Sequence, residues 1–424
     1  MNHIYVNFAH GNGPFSRMVD LVISYNNQRE QRGLSRLPAV FPLIPSYIDK
    51  NKIPGSKQRR IMKETAEEAA GKDFLDKHPD EFLLDLKVGA LLDKVFFKGS
   101  NYEDALRAFL EHNAENEEEL KRLIENGKRE VETLSGEKVP IDARDITAVF
   151  DFNNRIRFPH KNAFYMNAGA GYFSEVLERA LDLLALNSEI NPKLLEQVIP
   201  LAERLTNYQK LHFISDPGVF SYDVERRKSK LTELPCPPQI HVPKLDTTEL
   251  PTDGIYVAVT GIKGVAESGI YDSAREMGLQ IYSNDDEFNA RVNGIKLPFN
   301  KIGNPKIKAQ IARTGWSSVW SVHMLAELSL NVGLLFPEYQ PKDDPEILMN
   351  NMGVLDLELG VEIDQEDPRK CLEKAIKRAE MNKGFNERLK EKYGTLDGIE
   401  YMAETILMHE QGKDISKRLQ IESL

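Results

Sequence analysis

Cysteine is nearly absent: Cys236 and Cys371 are the only two in 424 residues. They stand too far apart to form a metal-ligand spacing, so a cysteine-built metal centre is excluded and a reduced, cytosolic protein is expected. Basic charge is also in short supply. The 55 Lys and Arg against 66 Asp and Glu leave a net charge of -11, whereas binding a nucleic-acid backbone needs a basic face. No apolar run is long enough to span a bilayer. The chain opens directly on Ile4-Tyr5-Val6, without the charged leader and apolar core of a secretion signal. What remains is an ordinary globular balance, 41% hydrophobic and 29% charged, in a chain long enough to bury two cores.

The order of segments is that of an α/β protein. His3 to Ala9 reads as the first strand of a parallel sheet. It breaks at His10-Gly11-Asn12-Gly13-Pro14-Phe15-Ser16-Arg17, and a helix follows through Met18, Leu21, Val22 and Tyr25. Strand, glycine turn and helix make half of a Rossmann unit, but no acidic residue closes a second strand at the distance an NAD site requires. Ala39 to Ile44 is a second strand. From Ser56 to Glu132 charge-rich helical periodicity takes over, with Phe82, Leu83, Leu86 and Val88 among its apolar positions, so a helical insertion over about residues 56–135 is expected. It either covers the acceptor side of a cleft or serves as a stabilising or homodimer surface. Strands return at Ile146–Asp151, Ala163–Met166 and Leu211–Ile214, the last leading into Ser215-Asp216-Pro217-Gly218. Asp151 and Asp216 thus stand as two acids at strand ends, each a candidate base or orienter of a base, or a turn former.

Five prolines, Pro235, Pro237, Pro238, Pro243 and Pro251, make 235–253 a semi-rigid connector. A second unit starts at Gly254–Val259 and turns at Thr260-Gly261-Ile262-Lys263-Gly264. The expected domains are 1–234, 254–366, and C-terminal helices over 367–424.

The densest chemistry lies between Ile311 and Glu346. Arg313-Thr314-Gly315-Trp316-Ser317-Ser318 opens a helix, and Gly333-Leu334-Leu335-Phe336-Pro337 ends the following strand. A glycine lets backbone approach a ligand, while the first N–H groups of a helix and nearby hydroxyls favour an anion. Arg313 adds a fixed charge that can bind phosphate through two donors. The plainer alternative is a helix capped by Ser317 or Ser318.

These residues resemble the donor motif of GT-B glycosyltransferases that use sugar nucleotides, including the plant and macrolide UDP-sugar transferases and MurG-like enzymes. There a Gly-Trp-Asn-Ser or Gly-Gly-x-Ser/Thr turn holds the diphosphate, and a Phe/Trp-Pro strand end follows one helix later. The family's His in this turn is Arg313 here, its ribose-binding Glu falls at Ser321, and its acids for donor-sugar hydroxyls correspond to Asp343, Asp344 or Glu346. Near the amino end, Gly13–Arg17 matches a family glycine turn, with Pro14 in the place of its catalytic His. Glu338 and Glu346 also satisfy the Glu-x7-Glu spacing of retaining enzymes, but they follow the strand after the motif helix instead of preceding that helix, and are read as chance.

The resemblance implies two Rossmann-like domains and an inverting, metal-independent transfer of a sugar from a nucleotide-diphosphate donor, UDP-linked for preference, to an acceptor hydroxyl. The nucleotide sugar is a co-substrate, and no cofactor is implied. His10, at the strand tip, is the candidate base, its pKa lying close to working pH, and Asp151 its partner. Thr260, Gly261, Lys263, Arg313, Gly315, Trp316, Ser317 and Ser318 would hold the diphosphate. Ser321, Asp343 and Asp344 would face ribose or sugar, and Gly11, Asn12, Gly13 and Arg17 the acceptor. A catalytically silent protein that binds nucleotide or glycan, or a sugar-nucleotide epimerase of the same fold, are the alternatives.

Overall fold

The computed structural model of the chain describes residues 1–8, 12–49, 52–95, 102–152, 156, 158, 160, 162–167, 172–187, 190–206, 211–217, 232–259, 269–340 and 344–419. The first half runs β1 (His3–Phe8), α1 (Asn12–Gln31), β2 (Ala39–Pro42), α2 (Ser56–Ala70), α3 (Phe74–Lys77), β3 (Phe82–Asp85), α4 (Leu86–Val95) and α5 (Tyr102–Glu125). It continues through β4 (Lys128–Thr133), β5 (Lys138–Asp142), β6 (Ile146–Phe152), β7 (Ala163–Asn167), α6 (Phe173–Asn187), α7 (Pro192–Thr206), β8 (Leu211–Ser215) and β9 (Thr232–Cys236). The second half runs β10 (Gly254–Val257), α8 (Ile270–Glu276), β11 (Gln280–Ser283), α9 (Asp286–Val292), β12 (Ile295–Lys296), β13 (Ile307–Ile311), α10 (Trp316–His323), β14 (Gly333–Phe336), α11 (Pro345–Asp356) and β15 (Val361–Glu362). Four helices end it: α12 (Pro368–Arg378), α13 (Asn382–Tyr393), α14 (Gly398–Glu410) and α15 (Ser416–Leu419).

Among the described residues the strands form two sheets, ordered β5-β4-β3-β2-β1-β6-β7-β8-β9 and β12-β11-β10-β13-β14-β15. All pairings are parallel except β3–β4 and β4–β5. Every residue of β1, β2, β10 and β14 is buried, as expected of parallel strands covered by helices on both faces. In each sheet the strand order reverses once, between β1 and β6 and between β10 and β13. Open α/β sheets bind ligands at the carboxyl ends of the strands at such reversals.

Two expectations are corrected. The segment 56–135 is not a helical insertion: Phe82–Asp85 is a central parallel strand, β3, and Lys128–Thr133 joins the same sheet as β4. A short, wholly apolar run such as Phe82-Leu83-Leu84 has no alternation, so periodicity cannot separate a doubly covered strand from a buried helix. The connector also starts later than Pro235, which lies inside β9. Because β9 is the edge strand, a residue without an N–H is tolerated there. Residues 237–253 carry no helix or strand.

The C-terminal helices return to the first sheet's domain. α14 buries Ile399, Met402, Ala403, Ile406 and Leu407, in one apolar cluster with Met18, Val22 and Tyr25 of α1. Gln28 Nε2 donates to the Glu400 carboxylate at 2.8 Å, and Arg29 pairs with Glu410. Before that turn, Asn386 Nδ2 of α13 donates to the His323 carbonyl at 3.0 Å, while Tyr393 and Lys392 both reach the buried carboxylate of Asp216. Asp216 is therefore an interdomain tie. Its wholly buried, doubly engaged carboxylate is not disposed to act as a base.

Candidate functional site

The second sheet's reversal point is built by β13 and the turn after it. Ile311 and Ala312 are fully buried, which fixes where Arg313 leaves the sheet. Thr314, also fully buried, donates from Oγ1 to Asn351 Oδ1 at 2.6 Å, and Asn351 Nδ2 donates to the Pro337 carbonyl at 3.3 Å. Asn351 of α11 therefore clamps the Arg313–Gly315 turn to the end of β14. Gly315 is the N-cap of α10, with φ -59° and ψ 132°, and its carbonyl accepts from Ser318 and Val319. Neither Ser317 nor Ser318 caps the helix, so the plain capping alternative does not hold. The head of α10 is thus left without a side-chain cap.

Trp316 contributes backbone only. Its ring is 4% exposed and stacks on Trp320 at 5.7 Å between centroids, part of the packing beneath the turn. Ser321 is likewise spent inside the helix, where its hydroxyl donates to the Ser317 carbonyl at 2.6 Å. It offers no carboxylate to a ribose. Asp344 caps α11, its Oδ1 accepting from Glu346 N at 2.9 Å, so its place is set by helix formation. His323 is a core histidine: Nε2 lies 2.7 Å from the Leu359 carbonyl, and burial lowers its pKa to about 4.

Two side chains complete the charge pattern. Arg313 is half-buried, with its Nε enclosed and unpaired. Glu346, whose pairing with Glu338 was read as chance, lies in the field of both Arg313 and Arg17. Burial, then repulsion from Asp344, push its carboxyl up to about 7 against the pull of those arginines. The usable signal was its place on the first turn of the helix after Pro337.

The first domain closes on this turn. Arg17 of α1 donates from Nη2 to Ser317 Oγ, across the interdomain crevice. A Cβ on Gly13 would lie 3.2 Å from the same Ser317 Oγ, so glycine permits the close approach of α1 to α10. Asp151, at the first sheet's reversal point, is fully buried; Asn7 Nδ2 donates to it at 3.0 Å and the Phe158 N–H at 3.3 Å. Its carboxylate is thus spent on Asn7 and the Phe158 backbone. His10, Gly11, Thr260, Gly261, Lys263 and Asp343 lie outside the described residues, as does the side chain of Asn12. Among the described residues, no three His, Cys, Asp or Glu side chains are grouped to hold a metal. No helix there is long and apolar enough to cross a membrane. Both cysteines are buried free thiols.

Two parallel-sheet domains facing each other across such a crevice define the GT-B architecture, the fold of many nucleotide-sugar glycosyltransferases. The glycosyltransferase SnogD from Streptomyces nogalater matches with a TM-score of 0.51 at 12% identity, over 97% of this chain and 99% of its own. A UGT transferase from Siraitia grosvenorii in complex with UDP gives 0.49 at 11% identity, over 97% and 99%. A putative UDP-N-acetylglucosamine 2-epimerase from Listeria monocytogenes gives 0.46 at 11% identity, over 97% of each chain. No protein-family model and no curated protein matches the sequence. At these identities the likeness is one of fold.

Proposed function

We propose that the protein is a glycosyltransferase that moves a sugar from a nucleoside-diphosphate donor to an acceptor hydroxyl, with a UDP-sugar as the first donor to test. The observation that carries this reading is the uncapped head of α10, with Arg313 beside it, at the carboxyl end of β13 where the second sheet reverses. A helix N-terminus and a half-buried guanidinium are ready-made for a diphosphate.

In this reaction the acceptor oxygen attacks the anomeric carbon and gives its proton to a base. The bond from that carbon to the distal phosphate oxygen breaks, and its electron pair leaves with the diphosphate. Arg313, the first N–H groups of α10 and the hydroxyls of Ser317 and Ser318 meet the charge that develops on the leaving group, in the part a divalent metal plays elsewhere. His10 is the base on its sequence position, at the carboxyl end of β1. Attack from the face opposite the leaving group inverts the anomeric centre.

The test is thermal stabilisation by UDP, GDP and dTDP, against UMP and NADH. A ligand that binds only the folded protein raises the melting temperature. One nucleoside diphosphate should do so in the wild type, and Arg313→Ala should weaken its binding by about 10- to 100-fold, the worth of a hydrogen bond to a charged group. An unchanged response in Arg313→Ala would remove the cradle, and a response to NADH alone would move the site to the first domain. The enclosure of Asp151 favours one second reading, a protein that holds the same nucleotide without turnover. Stabilisation with no product from any acceptor, and no effect of His10→Ala, would select it.

A further inference from the structure

Arg17 is a buried cation with few partners. It is 8% exposed, yet among the described residues its guanidinium contacts only Ser317 Oγ, through Nη2, and the Phe152 ring, 5.5 Å from Cζ to the centroid. Its Nε is enclosed with no hydrogen-bond acceptor. Glu346 and Asp20 act on it through charge alone, without a hydrogen bond among the described residues. Removing a guanidinium from water is costly unless an opposite charge meets it, and Arg17 sits where such a charge would come from a ligand.

Its position names the anion. Phe152 ends β6 and Ser317 opens α10, so the guanidinium spans from the first sheet's reversal point to the head of the second domain's cradle. Gly13, one turn earlier, brings the backbone of α1 close enough that a Cβ would meet Ser317 Oγ at 3.2 Å and Arg17 Nη2 at 3.8 Å. A nucleotide seated at the β10/β13 reversal keeps its nucleoside in the second domain. On the donor reading, the part of the diphosphate nearer the first domain is then the distal phosphate.

We propose that Arg17 binds the distal phosphate of the donor, so that the diphosphate is bracketed by one arginine from each domain, Arg17 and Arg313. This rests on the donor reading above and moves Arg17 from the acceptor side, where sequence position put it, to the donor. Ser317 Oγ sets the direction of the guanidinium, and Phe152 supports its face. Donor binding and the approach of the two domains thereby become one event, because the same anion draws on both.

The experiment is calorimetric titration of wild type, Arg17→Ala, Arg17→Lys and Arg313→Ala with UDP and with UMP, or with the diphosphate and monophosphate of whichever base stabilises the wild type. Arg17→Ala should weaken the diphosphate by about 10- to 100-fold and the monophosphate by less than about threefold, with Arg17→Lys recovering part of the loss. A strut that merely ties the domains would weaken both nucleotides by the same factor. That result, or no change at all while Arg313→Ala still loses binding, overturns the proposal and leaves the donor reading standing. If no nucleoside diphosphate binds the wild type, the donor reading fails and the bracket fails with it. Melting curves without nucleotide check folding, and if Arg17→Ala does not fold, Arg17→Gln carries the same comparison.

Discussion

Glu346 and Asp20 are two carboxyls held out of their usual range, each pushed up to about 7 chiefly by burial. Asp344 adds to the effect on Glu346, with Arg313 and Arg17 opposing it. Around Asp20, Glu68 and Asp397 raise while His241 and Arg17 lower. A folded-state pKa above the unfolded one means that the native protein binds more protons between the two values. Stability therefore falls as pH rises from 4.5, the ordinary value for a glutamate, toward 7, and levels off above. We predict that the melting temperature drops between about pH 5 and about pH 7.5, and that Glu346→Gln flattens part of the drop and raises the melting temperature at the upper end. Asp20→Asn should flatten the remainder. An undiminished slope in both variants would mean that neither group titrates as described.

At this scale the sequence revealed what is local. A helix head such as Gly315-Trp316-Ser317-Ser318 is written in adjacent residues, because free N–H groups and small side chains belong to one turn. The partnership of Arg17 with Ser317 spans 300 positions and depends on how two domains meet, which no spacing encodes. Ser321 misled for a related reason. Its register matched an acid-bearing position, but a serine inside a helix can satisfy its hydroxyl on the carbonyl one turn back.

Among the elements, α14 is tightly held by the connector. A Cβ on Gly398 would stand 2.2 Å from the Pro238 carbonyl oxygen and 2.5 Å from that of Pro237. Alanine in place of a helical glycine ordinarily stabilises by about 0.5–1 kcal/mol, but forcing a methyl group against backbone costs about 1–3 kcal/mol. The second effect wins, so Gly398→Ala should lower the melting temperature. A gain in thermal denaturation would show that the connector yields easily. His241 reinforces the same contact, with Nδ1 2.8 Å from Asp397 Oδ2, the carboxylate that caps α14. The strand and helix rhythm was legible through most of the chain because each element carries its own apolar pattern. It failed at β3 and at the start of the connector, where sheet position decided: a centre strand lacks alternation, and an edge strand accepts proline.

In the whole molecule, two sheets with one reversal each place both crevices at the carboxyl ends of their strands. The chain reaches this arrangement by leaving the first domain once and coming back. The fragment 1–397 lacks the helix that covers part of α1, so we predict that it binds an apolar dye and is cut by protease near α1 faster than the full chain. Equal protection would show that the first domain is complete without α14.

The return of α14 has a consequence for how the protein is made. A ribosome delivers the amino end first, and domains generally fold as they emerge. Here α1 leaves the exit tunnel early, but the surface of α14 that joins it in one cluster is translated only after the entire second sheet. The first domain must wait in an unfinished state throughout that time, with apolar surface open to chaperones. Slow codons placed between the connector and α14 would lengthen the wait and lower the soluble yield; an unchanged yield would show that the first domain is protected without α14.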